Sequence, residues 1–338
     1  MERSGLKVLM VSGDRQILKP GSAVSARMKE YGGLVGELHI VLLSDKSHGL
    51  RETKISDNVW VYPTNSSNRF LRPLDAVKIG EKIAKDKSLI TTQDPFECGW
   101  AGMRLKGKFG IPLEVQLHTD PNSPHFSGLL NWARKRIMRM VMKHADTVRD
   151  VVNLPIYVDR SRIDGEPKFD LHKKYGFKTV LLMVTRLEKE KNIGLAIEAL
   201  KRVRMKYPDT GLVIVGSGRE SFEGRDGVVL AGWQEDLALY YKTADIFIQT
   251  SDYEGYGLSL VEAGLSGLPA ISTPVGIAPK LENVVIASTP EEFAEAIESF
   301  MANPKTGLRR ELEAKILSRD AYLAKIRENW ERTAELKP

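Results

Sequence analysis

The sequence predicts an α/β protein made of two doubly wound halves. Three observations lead there. Short apolar runs alternate with longer stretches of helical period, as parallel βα units do. The alternation breaks once, at "NLPIYVDRSRIDGEPKFD" (153–170), where two prolines, a glycine and mixed charge precede a new apolar strand. The 338 residues, 42% hydrophobic and 28% charged, give room for two cores of about 150 residues each. The halves are expected at 1–155 and 156–317, followed by a tail at 318–338.

In the first half the candidate strands are "KVLMVS" (7–12), "ELHIVLLS" (37–44), "VWVYP" (59–63), "SLITT" (88–92) and "LEVQLH" (113–118). In the second they are "TVLLMVT" (179–185), "GLVIVG" (211–216), "GVVLAG" (227–232), "ADIFIQTS" (244–251) and "PAISTP" (269–274). Each is short, β-branched and bounded by turn residues. Helical segments lie between most of them, and the tail from Arg309 reads as one or two amphipathic helices. Two halves of this kind face each other across a cleft, with a ligand at the strand carboxyl ends.

The net charge of +6 suits anionic ligands, acidic membrane surfaces or nucleic acid, and equally an ordinary, slightly basic enzyme. No nucleic-acid-binding module is recognisable, so no nucleic-acid partner is expected. Cys98 is the only cysteine, which leaves no internal disulfide and no cysteine-rich metal site. The start, "MERSGLKVLMVSGD", reads neither as a signal peptide nor as a membrane span, and a cytoplasmic protein is expected.

Three segments of the second half carry chemistry. In "VTRLEKEKNIGLAIEAL" (184–200) a strand ends near Thr185 and a helix begins near Asn192, a residue suited to capping. Arg186 and Lys191 then stand at the positive end of a helix. Cations are unfavourable there unless an anion such as a diphosphate lies between them, or Glu188 and Glu190 neutralise them. In "VIVGSGRE" (213–220), Gly216 and Gly218 allow a close backbone approach, by a ligand or by an ordinary tight turn. In "EGYGLSLVEAGLS" (254–266) a loop leads into a short helix. Glu262 shares its face with Leu258, Val261 and Leu265, and a carboxylate in an apolar stripe needs partners. A ribose diol would supply them, as would a buried arginine or a neighbouring turn. The amides near Gly257 and Leu258 open a helix and suit phosphate, whereas Glu254 beside them suits neutral hydroxyls.

Together, "EGYGLSLVEAGLSGLPAISTPVG", "VTRLEKEKNIGLAIEAL" and "LVIVGSG" resemble the retaining glycosyltransferases of family 4, with their E-x7-E signature. They stand in that family's order over about 175–280. The resemblance implies the GT-B fold of two Rossmann-like domains, an acceptor-side one at 1–155 and a nucleotide-sugar-binding one at 156–317. The helix at about 318–338 should pack back on the first. It implies that Arg186 and Lys191 hold the donor diphosphate, Glu262 the ribose, and Glu254 the transferred sugar. Gly257 and Leu258 would offer amides, with Gly216 and Gly218 beside the donor.

The first half resembles the family more loosely. His118, ending "LEVQLH" before "TDP", stands where the family carries a histidine facing the donor sugar. The loop "SGDRQILKPGSAVSARMKEYG" resembles the family's glycine loop near the phosphates, with Gly21 and Ser22 implied at the donor and one glycine where a pair is usual. Asp94, in "TTQDPFE", lines the acceptor side or simply forms an Asp-Pro turn. The chain departs from the family where Asn192 replaces a common glycine, at "PVGIAPK" (274–280), and in its short 146–158 connection. Residues 129–146, "LLNWARKRIMRMVMKHAD", put Lys135, Arg139 and Lys143 on one face and Leu130, Ile137 and Val141 on the other. Such a helix beside Trp132 would make peripheral contact with the inner membrane face, and a surface helix with a solvated basic side gives the same pattern.

No D-x-D triplet holds a divalent ion, and two cations with a helix start can do the same electrostatic work. The expected reaction moves a sugar from a UDP- or GDP-sugar to an acceptor hydroxyl on a glycan, a lipid-linked sugar or a small molecule. It retains configuration and needs no metal or cofactor. Alternatives are a nucleotide-sugar epimerase of the same fold and a non-catalytic scaffold binding nucleotide sugar or membrane. The absence of G-x-G-x-x-G argues against a nicotinamide enzyme.

Overall fold

The computed structural model describes residues 3–118, 129–150, 157–303 and 307–336. The residues after His118, the side chain of Leu130 and the connection at 151–156 lie outside the described set. The chain divides into two compact units, Met1–Leu154 with Asp320–Pro338, and Pro155–Arg319.

Among the described residues, seven strands form the sheet of the first unit. They are β1 (Lys7–Ser12), β2 (Glu37–Leu42), β3 (Thr53–Ser56), β4 (Val59–Pro63), β5 (Leu89–Thr92), β6 (Leu113–Leu117) and β7 (Thr147–Asp150). The order is β3-β4-β2-β1-β5-β6-β7, and β3–β4 is the antiparallel pair. Its helices are α1 (Ala23–Gly32), α2 (Arg72–Ile83), α3 (Glu97–Phe109) and α4 (Leu129–His144). Leaving out β3, the order is the 3-2-1-4-5-6 of a doubly wound sheet, which reverses between β1 and β5.

The second unit repeats this plan. Its helices are α5 (Leu171–Tyr175), α6 (Ile193–Lys206), α7 (Ala238–Thr243), α8 (Leu258–Leu265), α9 (Pro290–Ala302) and α10 (Leu308–Lys315). Six described strands, β8 (Thr179–Val184), β9 (Thr210–Val215), β10 (Val228–Gly232), β11 (Ile246–Gln249), β12 (Ala270–Ser272) and β13 (Val284–Ile286), lie in the order β10-β9-β8-β11-β12-β13. All pairs are parallel, and the order reverses between β8 and β11.

Alternation along the strands builds both cores. On β8, Val180 and Leu182 pack with Leu260 and Val261 of α8, while Leu181 and Met183 pack with Ala196 and Leu200 of α6. On β1, Val8 and Met10 face α1, and Leu9 and Val11 face α2 and α3. This is the two-residue period of a strand buried on both sides.

The last helix, α11 (Arg319–Glu335), belongs to the core of the first unit through Leu323, Ile326 and Trp330. A buried carboxylate fixes it there. Glu114 on β6 accepts from Trp330 Nε1 at 3.2 Å, from Thr91 Oγ1 at 2.7 Å and from Asn329 Nδ2. Arg149 Nε on β7 stands 3.4 Å from Glu114 Oε1. Burial works against the Arg149 charge, but Glu114 together with Tyr31 and Tyr322 leaves the guanidinium pKa raised.

The sequence reading missed β3, β7 and β13. β3, "TKIS", has one aliphatic residue, and β7, "TVRD", buries an arginine where an apolar residue is expected. β13 has three residues, too few for a period. The stretch read as a strand over 244–251 is a strand only over 246–249, because Thr250 and Ser251 turn into the loop that follows. No described helix is long and apolar enough to cross a membrane.

Removing Glu114 strands the Arg149 charge in the core. Glu114→Ala is expected to cost the first unit about 3–5 kcal/mol. A lower urea midpoint and faster proteolysis within α11 would report it, and an unchanged midpoint would contradict it.

Candidate active site

In doubly wound sheets, ligands bind outside the strand carboxyl ends where the order reverses. In the second unit that point lies between the loop after β8, which carries Arg186 and Lys191, and the loop after β11, which carries Glu254.

The two loops are tied together. Lys191 Nζ donates to Glu254 Oε1 at 2.7 Å, and Ser251 Oγ donates to the same oxygen at 2.7 Å. Thr250 Oγ1 donates to the Lys191 carbonyl at 3.1 Å, and the Asp252 amide to the Glu190 carbonyl at 2.9 Å. Lys191 is 9% exposed, so its charge has left most of its water. Arg186 pairs with Glu190 at 3.0 Å on the surface. Each cation thus already has an acid.

Asn192 stands at the N-cap position of α6 as the sequence suggested, but its side chain makes no capping bond. Its side chain donates to Asp252 Oδ1 at 2.9 Å, and its φ of 44° is left-handed. Glycine adopts that conformation freely and asparagine is the usual substitute, which explains the departure from the common glycine.

At Gly257, φ is 92° and the chain turns into α8. Leu260 and Val261 donate to the Gly257 carbonyl, so the amides of Leu258 and Ser259 lie ahead of the helix's own ladder. Leu258 does not share the buried face. It is 49% exposed, while Val261 and Leu265 are buried. Glu262 is 7% exposed, and its Oε2 accepts from Tyr241 on α7 at 2.9 Å. Arg162 approaches its Oε1 at 3.8 Å. Burial raises the Glu262 pKa, against the opposing pull of Arg162 and the Tyr241 hydroxyl.

Gly216 and Gly218 are required by the chain itself. A Cβ on Gly216 would stand 1.8 Å from the Thr185 carbonyl oxygen, and one on Gly218 would stand 2.2 Å from that of Leu187. The loops after β8 and β9 therefore touch backbone to backbone. Beside them a cavity of about 230 Å³ is lined by Arg162, Arg186, Gly216, Ser217, Trp233 and Gln234.

His118, Asp94, Gly21 and Ser22 belong to the first unit. His118 follows β6 and donates from Nε2 to Gln116 Oε1 at 3.0 Å. The residue is exposed by surface area, yet enough protein crowds its ring to desolvate it, and Arg149 and Arg27 add positive potential. Its pKa falls to about 4, so the imidazole is neutral at neutral pH. Asp94 accepts from the amides of Phe96 at 2.7 Å and Cys98 at 3.2 Å, holding the start of α3. It also lines a cavity of about 600 Å³. Gly21 has a φ of 76°, and the Ser22 hydroxyl caps α1 through the Ser25 amide at 3.0 Å.

The structure thus brings Arg186, Lys191, Glu254, Gly257 and Leu258 to the reversal point, with Gly216 and Gly218 beside Arg186. Glu262 joins this group through Arg162, which lines the same cavity as Arg186 and Gly216. Sequence reading missed Tyr241, Ser251 and Arg162. Only the requirement that Glu262 have a partner pointed toward the first and third. Among the described residues no three His, Cys, Asp or Glu side chains gather as a metal site.

Residues 166–316 match the family model of glycosyl transferases group 1. The chain is similar to alpha-monoglucosyldiacylglycerol synthases of Acholeplasma laidlawii (25% identical, 63% of this chain and 65% of that one) and Streptococcus pneumoniae (32% identical, 56% and 53%). It spans between half and two thirds of their length. Its fold is similar to that of sucrose-phosphate synthase from Thermosynechococcus elongatus, at a TM-score of 0.73 and 18% identity over 96% of this chain and 98% of that one. The fold is that of the GT-B type, and the stretch that matches the group 1 model lies within the second unit.

Because burial raises Glu262, the native state keeps a proton that the unfolded chain has released, over a window above the ordinary carboxylate value. There the native state binds more protons than the unfolded one, and stability falls as pH rises. Wild type should lose stability relative to Glu262→Gln between about pH 4 and pH 7. Urea midpoints across that range measure it, and a pH-independent difference would speak against it.

Proposed function

We propose that the chain is a retaining glycosyltransferase, moving a sugar from a UDP- or GDP-sugar to an acceptor hydroxyl without a metal ion. The carrying observation is the Lys191–Glu254 pair, held at 2.7 Å at the reversal of the second sheet, at the entrance to α8. The α8 amides, Arg186 and Lys191 would take the diphosphate. Glu262 would exchange its 3.8 Å contact with Arg162 for the two ribose hydroxyls.

In this reading the bond between the anomeric carbon and the phosphate oxygen breaks, and the acceptor oxygen bonds to the same face of that carbon. The acceptor proton passes to the departing phosphate. Arg186 and Lys191 stabilise the charge that builds on the leaving group, in place of a metal. Glu254 holds Lys191 in position before the donor arrives and, released from it, would orient the sugar hydroxyls. His118, neutral at neutral pH, would hydrogen-bond the sugar from the first unit, with Gly21 and Ser22 near the phosphates and Asp94 toward the acceptor.

The named activity of the two synthases supports a lipid acceptor, and with it our reading of peripheral contact with the inner membrane face. Helix α4 supports the same reading. It carries Arg134, Lys135, Arg136, Arg139 and Lys143, no acid, and an exposed Trp132, while Val141 is buried.

Titration calorimetry and a transfer assay test the division of roles. Glu262→Ala should weaken UDP or GDP binding by about 2 kcal/mol, a factor of about 30. Glu254→Gln should spare nucleotide affinity and lower turnover by about a hundredfold or more. A chelator should leave wild-type turnover unchanged. Equal loss of nucleotide affinity in both variants, or turnover that stops on chelation, would refute the assignment.

A further inference from the structure

We propose that the first unit holds a phosphate subsite for the acceptor, formed by Arg15, His48 and Arg72 and opening onto an aromatic cavity that takes an apolar chain. The inference rests on the chain being a glycosyltransferase whose first unit receives the acceptor, and it names the acceptor's class: a hydroxyl compound that also bears a phosphate.

Two cavities meet at the carboxyl ends of β1 and β2. The smaller, of about 270 Å³, is lined by Gly13, Arg15, Leu43, Asp45, His48 and Arg72. The larger, of about 600 Å³, shares Gly13, Leu43 and Arg72 and adds Phe70, Arg134 and Ile137. The shared residues place the two cavities side by side. It lies beside the reversal between β1 and β5, where a doubly wound sheet receives its ligand.

The polar end is assembled for an anion. Arg15 donates to His48 Nε2, and His48 Nδ1 donates to the Asp45 carbonyl at 3.1 Å. The Asp45 carboxylate holds Arg72 through two hydrogen bonds, one from Nε at 2.7 Å. One carboxylate therefore serves two guanidinium groups. Among the described residues Arg15 has no carboxylate at ion-pair distance, and its side-chain partner is the His48 ring. A guanidinium held by an imidazole keeps donors for a phosphate and gains a charge partner when one arrives.

The other end is open and sets Phe70, Pro73 and Ile137 among Arg69, Asp94, Glu97 and Arg134. Phe70, at the cavity wall, is 73% exposed, and Leu74 is 46% exposed. Covering Phe70 removes apolar surface from water, which favours binding of an apolar chain. An anionic pocket joined to exposed aromatic surface fits a single molecule that carries both parts, a phosphate and a hydrocarbon chain. A soluble sugar phosphate would use the polar end alone, so the two sources differ in what the chain adds.

Titration calorimetry on the full chain, with decyl phosphate, inorganic phosphate and decyl maltoside as probes, tests this. Two variants accompany the wild type. Arg15→Gln removes the unneutralised cation. Gly13→Leu fills the shared space, and a Cβ there meets no atom within 4 Å, so the fold tolerates it. Decyl phosphate should bind, inorganic phosphate should compete with it, and saturating UDP should not displace it. Both variants should weaken decyl phosphate at least about tenfold. Decyl phosphate binding more than about tenfold tighter than inorganic phosphate supports both the phosphate subsite and the apolar cavity, and equal affinities would overturn the apolar half. Decyl maltoside binding as tightly as decyl phosphate, displacement by UDP, or no loss in both variants would overturn it. Failure of wild type to bind UDP or GDP, with the phosphate results intact, would count instead against the nucleotide-sugar reading.

Discussion

The ion pair between Lys191 and Glu254 spans the place where the second sheet changes direction. β8 sends its chain into α6 on one face, and β11 sends its chain into α8 on the other. Loops that diverge in this way leave a crevice between them, and an open crevice would let both loops move. Four polar links close it: the ion pair, Thr250 to the Lys191 carbonyl, Asp252 to the Glu190 carbonyl, and Asn192 to Asp252. On the β9 side, Gly216 and Gly218 let the backbones touch. The cations are therefore set in place by the fold before any ligand arrives, which is the preorganisation that electrostatic catalysis depends on.

The same pairs set the charge balance. Arg186 with Glu190, and Lys191 with Glu254, sum to no net charge. In the proposed function a diphosphate would compete with two carboxylates for the same donors, and the α8 amides would tilt the balance toward it. Glu254 faces the opposite choice. Displaced from Lys191, it needs neutral hydroxyl donors, because a second anion nearby would be repelled. A substrate bearing both a diphosphate and a sugar meets both demands at once, whereas a bare anion meets only one.

Much of this was legible in the sequence. Apolar runs placed the inner strands of both sheets, since a strand buried on both faces must be apolar throughout. Glu262 stood out as a carboxylate in an apolar stripe, and it is indeed buried and partnered. What stayed hidden depended on tertiary pairing. β7 escaped because Arg149 occupies a core position, and it does so only because Glu114 on the adjacent strand neutralises it. Arg162 and Tyr241 lie distant in sequence from Glu262, and no spacing connects them. Gly216 and Gly218 read equally as a ligand approach and as a turn, and the contact they permit is with the chain's own carbonyls. The mutual pairing of Lys191 and Glu254 was likewise unforeseen, because each residue was assigned to a different part of a ligand.

The two units repeat one plan, with a sheet reversal and polar side chains gathered at the strand ends, and they differ in what gathers there. The second offers a helix start, paired cations and a buried carboxylate, and the first a guanidinium-rich pocket beside exposed aromatic surface. The most direct measurement of the central claim is a crystal structure of the full chain with bound UDP or GDP. The account predicts the diphosphate against the amides of Leu258 and Ser259 and within reach of Arg186 and Lys191, with both ribose hydroxyls on Glu262. A nucleotide seated away from the β8–β11 reversal, or a ribose that leaves Glu262 on Tyr241 and Arg162 alone, would contradict it.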